Sequence, residues 1–183
     1  MFHRPLTIAA SLGAALLIAA CAPTDPFAIK ELEKGAQVDV RSLLAVHGGK
    51  TGCVDYRASD NSCASLIKAR VSGNRVVAVE TGAVRGLSGE IERVTLTSRG
   101  RIENGGTCIT PGDLTASDSD GMGDFLREAT NLLIEQFGGK VCAFYFEDGE
   151  DYVISSLGAD GRPFPPGDSS LRFVDGEVSV RAQ

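Results

Sequence analysis

The sequence predicts an α+β fold, in which one long amphipathic helix at about 120–137 covers one face of a largely antiparallel sheet, with hairpins on either side. Two observations predict it. Segments before and after the helix alternate apolar and polar side chains, which is the period of a half-buried strand. Between them, apolar side chains recur every three or four positions, the period of a helix buried along one stripe. Because the order is β, α, β, we expect the helix to pack on the sheet.

The strands before the helix are predicted from alternation and from glycine-containing breaks. Segments 64–71 and 75–84 flank Ser72-Gly73-Asn74 and indicate a hairpin. In segment 90–98 the side chains predicted for the two faces of a strand alternate strictly. We expect a turn at Gly100 and a further strand over 101–110. The pattern of 38–46 leaves helix and strand equally open.

The helix has the clearest pattern in the chain. Ser119 or Asp120 is the candidate N-cap, and Gly138-Gly139 ends the helix because glycine accepts the left-handed conformation. Its apolar stripe runs over four turns and comprises Met122, Phe125, Leu126, Ala129, Leu132, Leu133 and Phe137.

A second group of strands is predicted after the helix. Segments 140–147 and 151–156 flank Asp148-Gly149, a dipeptide that favours a type I′ turn. A Gly/Pro loop is expected over 158–170. A final hairpin is expected to pair 170–174 with 177–181 around Asp175-Gly176.

The N-terminus has the parts of an export signal. His3 and Arg4 precede an apolar run of about 15 residues, which is shorter than the roughly 20 residues of a membrane-spanning helix. The run ends in Ile18-Ala19-Ala20-Cys21, which resembles the lipobox of bacterial lipoproteins. The resemblance implies cleavage of 1–20, lipid attachment at Cys21 and a permanent membrane anchor.

The position after the lipobox cysteine influences sorting in that family. Ala22 in place of an aspartate implies the inner leaflet of the outer membrane, facing the periplasm. We expect 21–36, which contain Pro23 and Pro26, to be a tether, and 37–183 to form one globular α+β domain.

Composition restricts the classes of partner. Without the signal, 17 basic and 24 acidic residues leave a net charge of −7. An acidic surface repels nucleic acid and anionic headgroups, so we expect no nucleic-acid partner and a membrane contact that depends on the lipid.

Four cysteines remain in the mature chain. An even number in an exported domain predicts two disulfides. The sequence has no Cys-x-x-Cys motif, which would have indicated a metal or redox site. Three pairings are open. We favour 53–63, which brackets a polar turn, and 108–142, which joins two apolar segments; the residues are Cys53, Cys63, Cys108 and Cys142.

Other candidate sites are weak. His47 is the single histidine after the signal, and no serine lies near it in a nucleophile motif. Asp118 and Asp120 suit an EF-hand loop only in part, because Met122 and Ala129 occupy ligand positions. Segment 155–162 is similar to the calcium loop of type II secretion pseudopilins, in which Asp160 would be the ligand. We expect no catalytic residue, no metal and no cofactor.

Two functions therefore remain open. The first is a non-enzymatic binding or envelope-assembly module, tethered by its lipid and contacting another envelope protein or peptidoglycan. The second is a carboxylate-based hydrolase acting on envelope glycans, which requires two facing carboxyl groups about 5–10 Å apart.

Overall fold

The computed structural model describes residues 29–86, 89–117 and 121–182. The lipobox, Cys21, Ser119 and the calcium candidates Asp118 and Asp120 lie outside them. Within these ranges no helix is long and apolar enough to cross a membrane. The elements, in chain order, are β1 (Gln37–Val38), α1 (Val40–Val46), β2 (Thr51–Val54), β3 (Ser62–Cys63), β4 (Ser65–Ser72), β5 (Arg75–Arg85), β6 (Ile91–Glu103), β7 (Gly106–Ile109), β8 (Leu114–Ala116), α2 (Met122–Gln136), β9 (Val141–Asp148), β10 (Asp151–Gly158), β11 (Ser169–Val174) and β12 (Ser179–Val180).

Eight of the described strands form a closed antiparallel barrel. Strands β2, β4, β5, β6, β7, β9, β10 and β11 each pair with the next in this order. Strand β11 then returns to β2, with Leu171 opposite Val54 and Phe173 opposite Gly52. The predicted α+β fold is therefore wrong, since the sheet covers its apolar face by closing on itself and not with a helix.

Sequence reasoning located the long hairpins but misjudged one turn. The pairs β4–β5 and β9–β10 confirm the hairpins predicted over 64–84 and 140–156. Strand β6, however, continues through Gly100, where a Cβ atom would come within 2.5 Å of Thr107 Cγ2 and 2.9 Å of the Cys108 carbonyl oxygen. Glycine is needed there for close strand packing, and the turn lies at Asn104-Gly105, both at positive φ.

The predicted C-terminal hairpin does not form. Closure of the barrel occupies both edges of β11, one with β10 and the other with β2. The chain beyond β11 therefore cannot turn back and pair with β11. Strand β12 instead runs parallel to β3 on the outside, with Val180 opposite Cys63.

The two helices of the described ranges lie at opposite ends of the barrel. At the α1 end are the tight turns of the β4–β5, β6–β7 and β9–β10 hairpins, and α1 is bonded to two of them. The Val40 amide donates to the Gly105 carbonyl at 2.8 Å, and the Arg41 guanidinium donates to the Gly73 carbonyl at 2.7 Å. Segment 38–46 thus divides into β1, which pairs with β9, and α1, which is capped by Asp39.

The α2 end carries the longer connections, and α2 lies there between β8 and β9. The predicted helix exists, but its N-cap is Gly121, and it packs against β8 and β6 instead of covering the face of an open sheet. Its Ile134 is fully buried and packs in one cluster with Leu114 and Val141. Arg162 Nη2 donates to the Gln136 carbonyl at 2.8 Å and joins the helix to the β10–β11 loop.

The segment preceding β1 is bonded along the outside of the barrel. The Lys30 amide donates to the Pro166 carbonyl at 3.1 Å, and its carbonyl accepts from the Asp168 amide at 2.8 Å. Lys34 forms an ion pair of 2.9 Å with Asp168, which is almost completely buried. The part of the expected tether that the structure describes, 29–36, therefore follows the barrel surface.

Two disulfides occur among the described residues, as the cysteine count predicted. They join Cys53 to Cys63 and Cys108 to Cys142, the pairs favoured from the sequence. The first fastens the β2–β4 connection, and the second joins β7 to β9 at directly opposite positions.

We expect the two disulfides to differ in their contribution to stability. They span 10 and 34 residues, so the chain-entropy relation gives about 3 kcal/mol for Cys53–Cys63 and about 4 kcal/mol for Cys108–Cys142. Urea unfolding of the two Cys→Ala double variants measures this. A larger loss on removing Cys53–Cys63 would contradict the expectation.

Candidate functional site

The barrel encloses a cavity of about 380 Å³. This volume lies within the range of small-molecule sites, about 300–1,000 Å³. The surface of the cavity is predominantly apolar. The side chains that line it come from every strand of the barrel, with α1, α2 and the β10–β11 loop contributing at the ends.

The cavity exists because inward positions carry small side chains. Ala69, Ala78 and Ala143 face the interior from three different strands, as do Ser98 and Ser156. An eight-stranded barrel is just wide enough for ordinary side chains to fill it. Small side chains at these positions therefore leave the centre empty.

The α1 end of the cavity is closed by packed side chains. Leu43, which is 2% exposed, forms a buried cluster with Val54 and Leu171. Leu44 also lines the cavity. At the α2 end the lining residues include Phe164 and Pro166, and Pro166 is exposed to solvent. Glu80, on β5, is the other exposed residue among those that line the cavity.

Two ionisable side chains line the cavity in the part of the chain that the structure describes. Glu80, on β5, accepts a hydrogen bond of 2.5 Å from Ser65 Oγ and is solvent-accessible. Tyr145, on β9, packs against the Leu43 cluster. Thr107 Oγ1, also in the lining, is buried without a hydrogen bond of good geometry among the described residues. The apolar cavity thus holds a small polar set that can orient a ligand.

The interior changes the acidity of the phenol. Burial raises the pKa of Tyr145, because the phenolate loses its hydration inside the barrel. The nearby Thr107 hydroxyl offsets part of this rise, and the negative charge of Glu80 adds to it. Tyr145 therefore presents a neutral hydroxyl at neutral pH.

The described residues do not support catalysis by His47. Its Nε2 lies 2.9 Å from the Tyr152 hydroxyl, and its ring stacks on Phe173 with centroids 4.2 Å apart. Burial, and secondarily Lys50, lowers the pKa of His47. The imidazole is thus packed against the rings of Tyr152 and Phe173 at the α1 end.

The hydrolase hypothesis also lacks its central requirement within the cavity. Glu80 is the single carboxylate among the described residues that line it, and a glycosidase needs a facing pair. A general acid needs a carboxyl group with a raised pKa. Among the described residues the pKa is instead lowered at Asp60, Asp160 and Asp168.

Two groups of side chains are candidates for metal binding. Asp160 binds the Arg162 side chain, with Oδ2 at 2.7 Å from Nη2, so an arginine occupies the carboxylate proposed as a calcium ligand. Glu103 lies with Cys108 and Cys142, but these sulfurs form a disulfide and are not thiolate ligands. Glu103 itself pairs with Lys140 at 2.8 Å.

Comparison of the chain with protein-family models, with curated proteins and with solved structures finds no match. The interpretation of the cavity therefore depends on its own geometry.

Sequence reasoning did not identify the cavity residues. A signal was present, because Ala and Ser alternate with larger residues in strands predicted on both sides of the helix. Small residues on the face that should be buried indicate either close packing or empty space. Only barrel closure brings them to face one another.

Glu80→Gln should lower the pKa of Tyr145, because removing a negative charge makes the phenolate less unfavourable. The ¹³Cζ shift of labelled tyrosines, followed from neutral to alkaline pH, reports this titration, and Tyr145→Phe assigns the signal. Glu90→Gln, at an exposed position outside the cavity lining, is the matched control. An unchanged Tyr145 titration in Glu80→Gln would show that the two groups do not interact across the interior.

Proposed function

We propose that this protein is a lipid-anchored envelope protein whose barrel binds one small, largely apolar molecule with a polar group. The observation that carries the binding proposal is the apolar cavity that contains Glu80, Tyr145 and Thr107. This is a more specific form of the non-enzymatic binding module expected from the sequence.

The chemistry of the cavity supports an amphiphilic ligand. Apolar wall area provides most of the binding free energy, since transfer from water gives roughly 25 cal/mol per Å². Glu80 can accept a hydrogen bond, and the neutral Tyr145 hydroxyl can donate or accept one. A ligand hydroxyl, amide or protonated acid suits this set better than a permanent anion, which Glu80 would repel.

The anchor belongs to the same proposal and is supported by the lipobox Ile18-Ala19-Ala20-Cys21 at the end of an apolar signal. Two disulfides suit an oxidising compartment such as the periplasm. The inner leaflet of the outer membrane is the proposed location, from Ala22.

Cys21→Ser should abolish incorporation of labelled palmitate in the native host and release the protein from the membrane fraction, because the sulfur that carries the lipid is lost. Lipid incorporation and fractionation are compared with Cys53→Ala/Cys63→Ala, which removes two cysteines and their disulfide but leaves Cys21. A wild-type protein without label would contradict the anchor.

Ser98→Phe should weaken binding of the fluorescent apolar probe N-phenyl-1-naphthylamine by at least about 10-fold, because a phenyl group fills space inside the cavity. Thr97→Phe is the matched control, since adjacent strand residues face opposite sides and Thr97 pairs with the exposed Val79. Titration of probe fluorescence measures both variants, and thermal unfolding verifies that each is folded.

Equal probe affinity in Ser98→Phe and wild type would contradict binding inside the barrel. Equal loss in Thr97→Phe would place the probe on the outer surface. Mass spectrometry of an organic extract of the protein purified from its host then identifies the natural ligand.

A further inference from the structure

Exposed large apolar side chains are concentrated at the α2 end of the barrel. Ile91, the first residue of β6, is 60% exposed, and Phe125 and Leu132 on α2 are 64% and 60% exposed. Ile29, on the segment beside the β10–β11 loop, is 38% exposed. Transfer of such side chains from water to apolar surroundings is favourable.

Two other exposed apolar residues do not belong to this group. Val46, 73% exposed, ends α1 at the opposite end, and Val79, 38% exposed, lies on the outer wall of β5. They provide internal references, because isolated exposed apolar residues are common on soluble surfaces.

The direction of the N-terminal segment indicates which surface meets this end. Lys30 forms a parallel bridge with Gly167, at the β10–β11 loop of the α2 end. Cys21 lies only eight residues before Ile29. Even a fully extended chain of that length spans at most about 28 Å. A lipid on Cys21 would therefore keep the point of attachment at the α2 end within about 28 Å of the bilayer.

We propose that the α2 end of the barrel docks on the lipid bilayer through Ile29, Ile91, Phe125 and Leu132, with the cavity taking its ligand from that membrane. The proposal rests on the proposed function for the anchor and the ligand class. The occupant of this surface is a phospholipid bilayer; with a net charge of −7 in the mature chain, the contact depends on apolar insertion and not on anionic headgroups.

Docking in this orientation has a consequence for the ligand. The exposed cavity-lining residue Pro166 belongs to the same loop that bonds to Lys30. Docking through this end would therefore bring Pro166 close to the bilayer, so that an amphiphile could enter beside this loop from the lipid surface. The ligand class is then a membrane-soluble molecule with a neutral polar group, which agrees with the position of Glu80.

The chain contains no Trp, so a single introduced indole reports its own surroundings. Lipidated Phe125→Trp and Leu132→Trp proteins are reconstituted in vesicles of phosphatidylethanolamine and phosphatidylglycerol with dibrominated acyl chains, which quench indole on contact. Both should lose about half of their fluorescence relative to unbrominated vesicles, because docking puts these positions at the headgroup and acyl boundary. Val46→Trp, at the α1 end, should retain its fluorescence.

Absence of quenching in both α2-end variants, or equal quenching of Val46→Trp, would overturn the docking orientation. Co-flotation of each variant with the vesicles verifies that the protein is bound. If the α2-end variants are not quenched but palmitate labelling and probe binding are intact, the docking orientation is wrong and the proposed function still holds. Loss of probe binding with α2-end quenching intact would remove the ligand-binding part of the proposed function and keep the docking orientation.

Discussion

The pairing of β11 with β2 is the constraint on which the rest of the structure depends. It joins the last barrel strand to the first, with four residue pairs from Leu171–Val54 to Val174–Thr51. Closure satisfies the backbone groups that would otherwise form two exposed edges, and it turns the apolar face of every strand inward. Because no edge remains in the ring, the segment after β11 must find another partner, which it does on β3.

The hollow interior is a further consequence of closure combined with small inward residues. In an open sheet under a helix, Ala78 and Ala143 would simply allow close approach of the covering layer. In a barrel the width is set by the number of strands, so small side chains leave a void instead. The helices then act at the ends, where α1 packs Leu43 against Val54 and Leu171 and α2 packs Ile134 against Leu114 and Val141.

The elements outside the ring of strands make the two ends of the barrel different. Its α1 end has short turns bonded to a helix, whereas its α2 end has the longer connections, the Cys53–Cys63 disulfide, the N-terminal segment and most of the exposed large apolar side chains. Lys34 and Asp168 fasten that segment by an ion pair at a nearly buried carboxylate. These contacts fix where the chain before Ile29 leaves the barrel, so that the proposed anchor would be attached at a defined place.

Local patterns in the sequence determined much of this protein. Alternation located β4, β5, β9 and β10, the three-to-four spacing located α2, and the even cysteine number predicted two disulfides. These features depend on neighbours along the chain. Only the tertiary structure decided that the sheet closes, that Gly100 lies inside a strand, and that Glu80 and Tyr145 share one cavity. A strand with one buried face has the same period under a helix or inside a barrel, so the difference lies in contacts between distant segments.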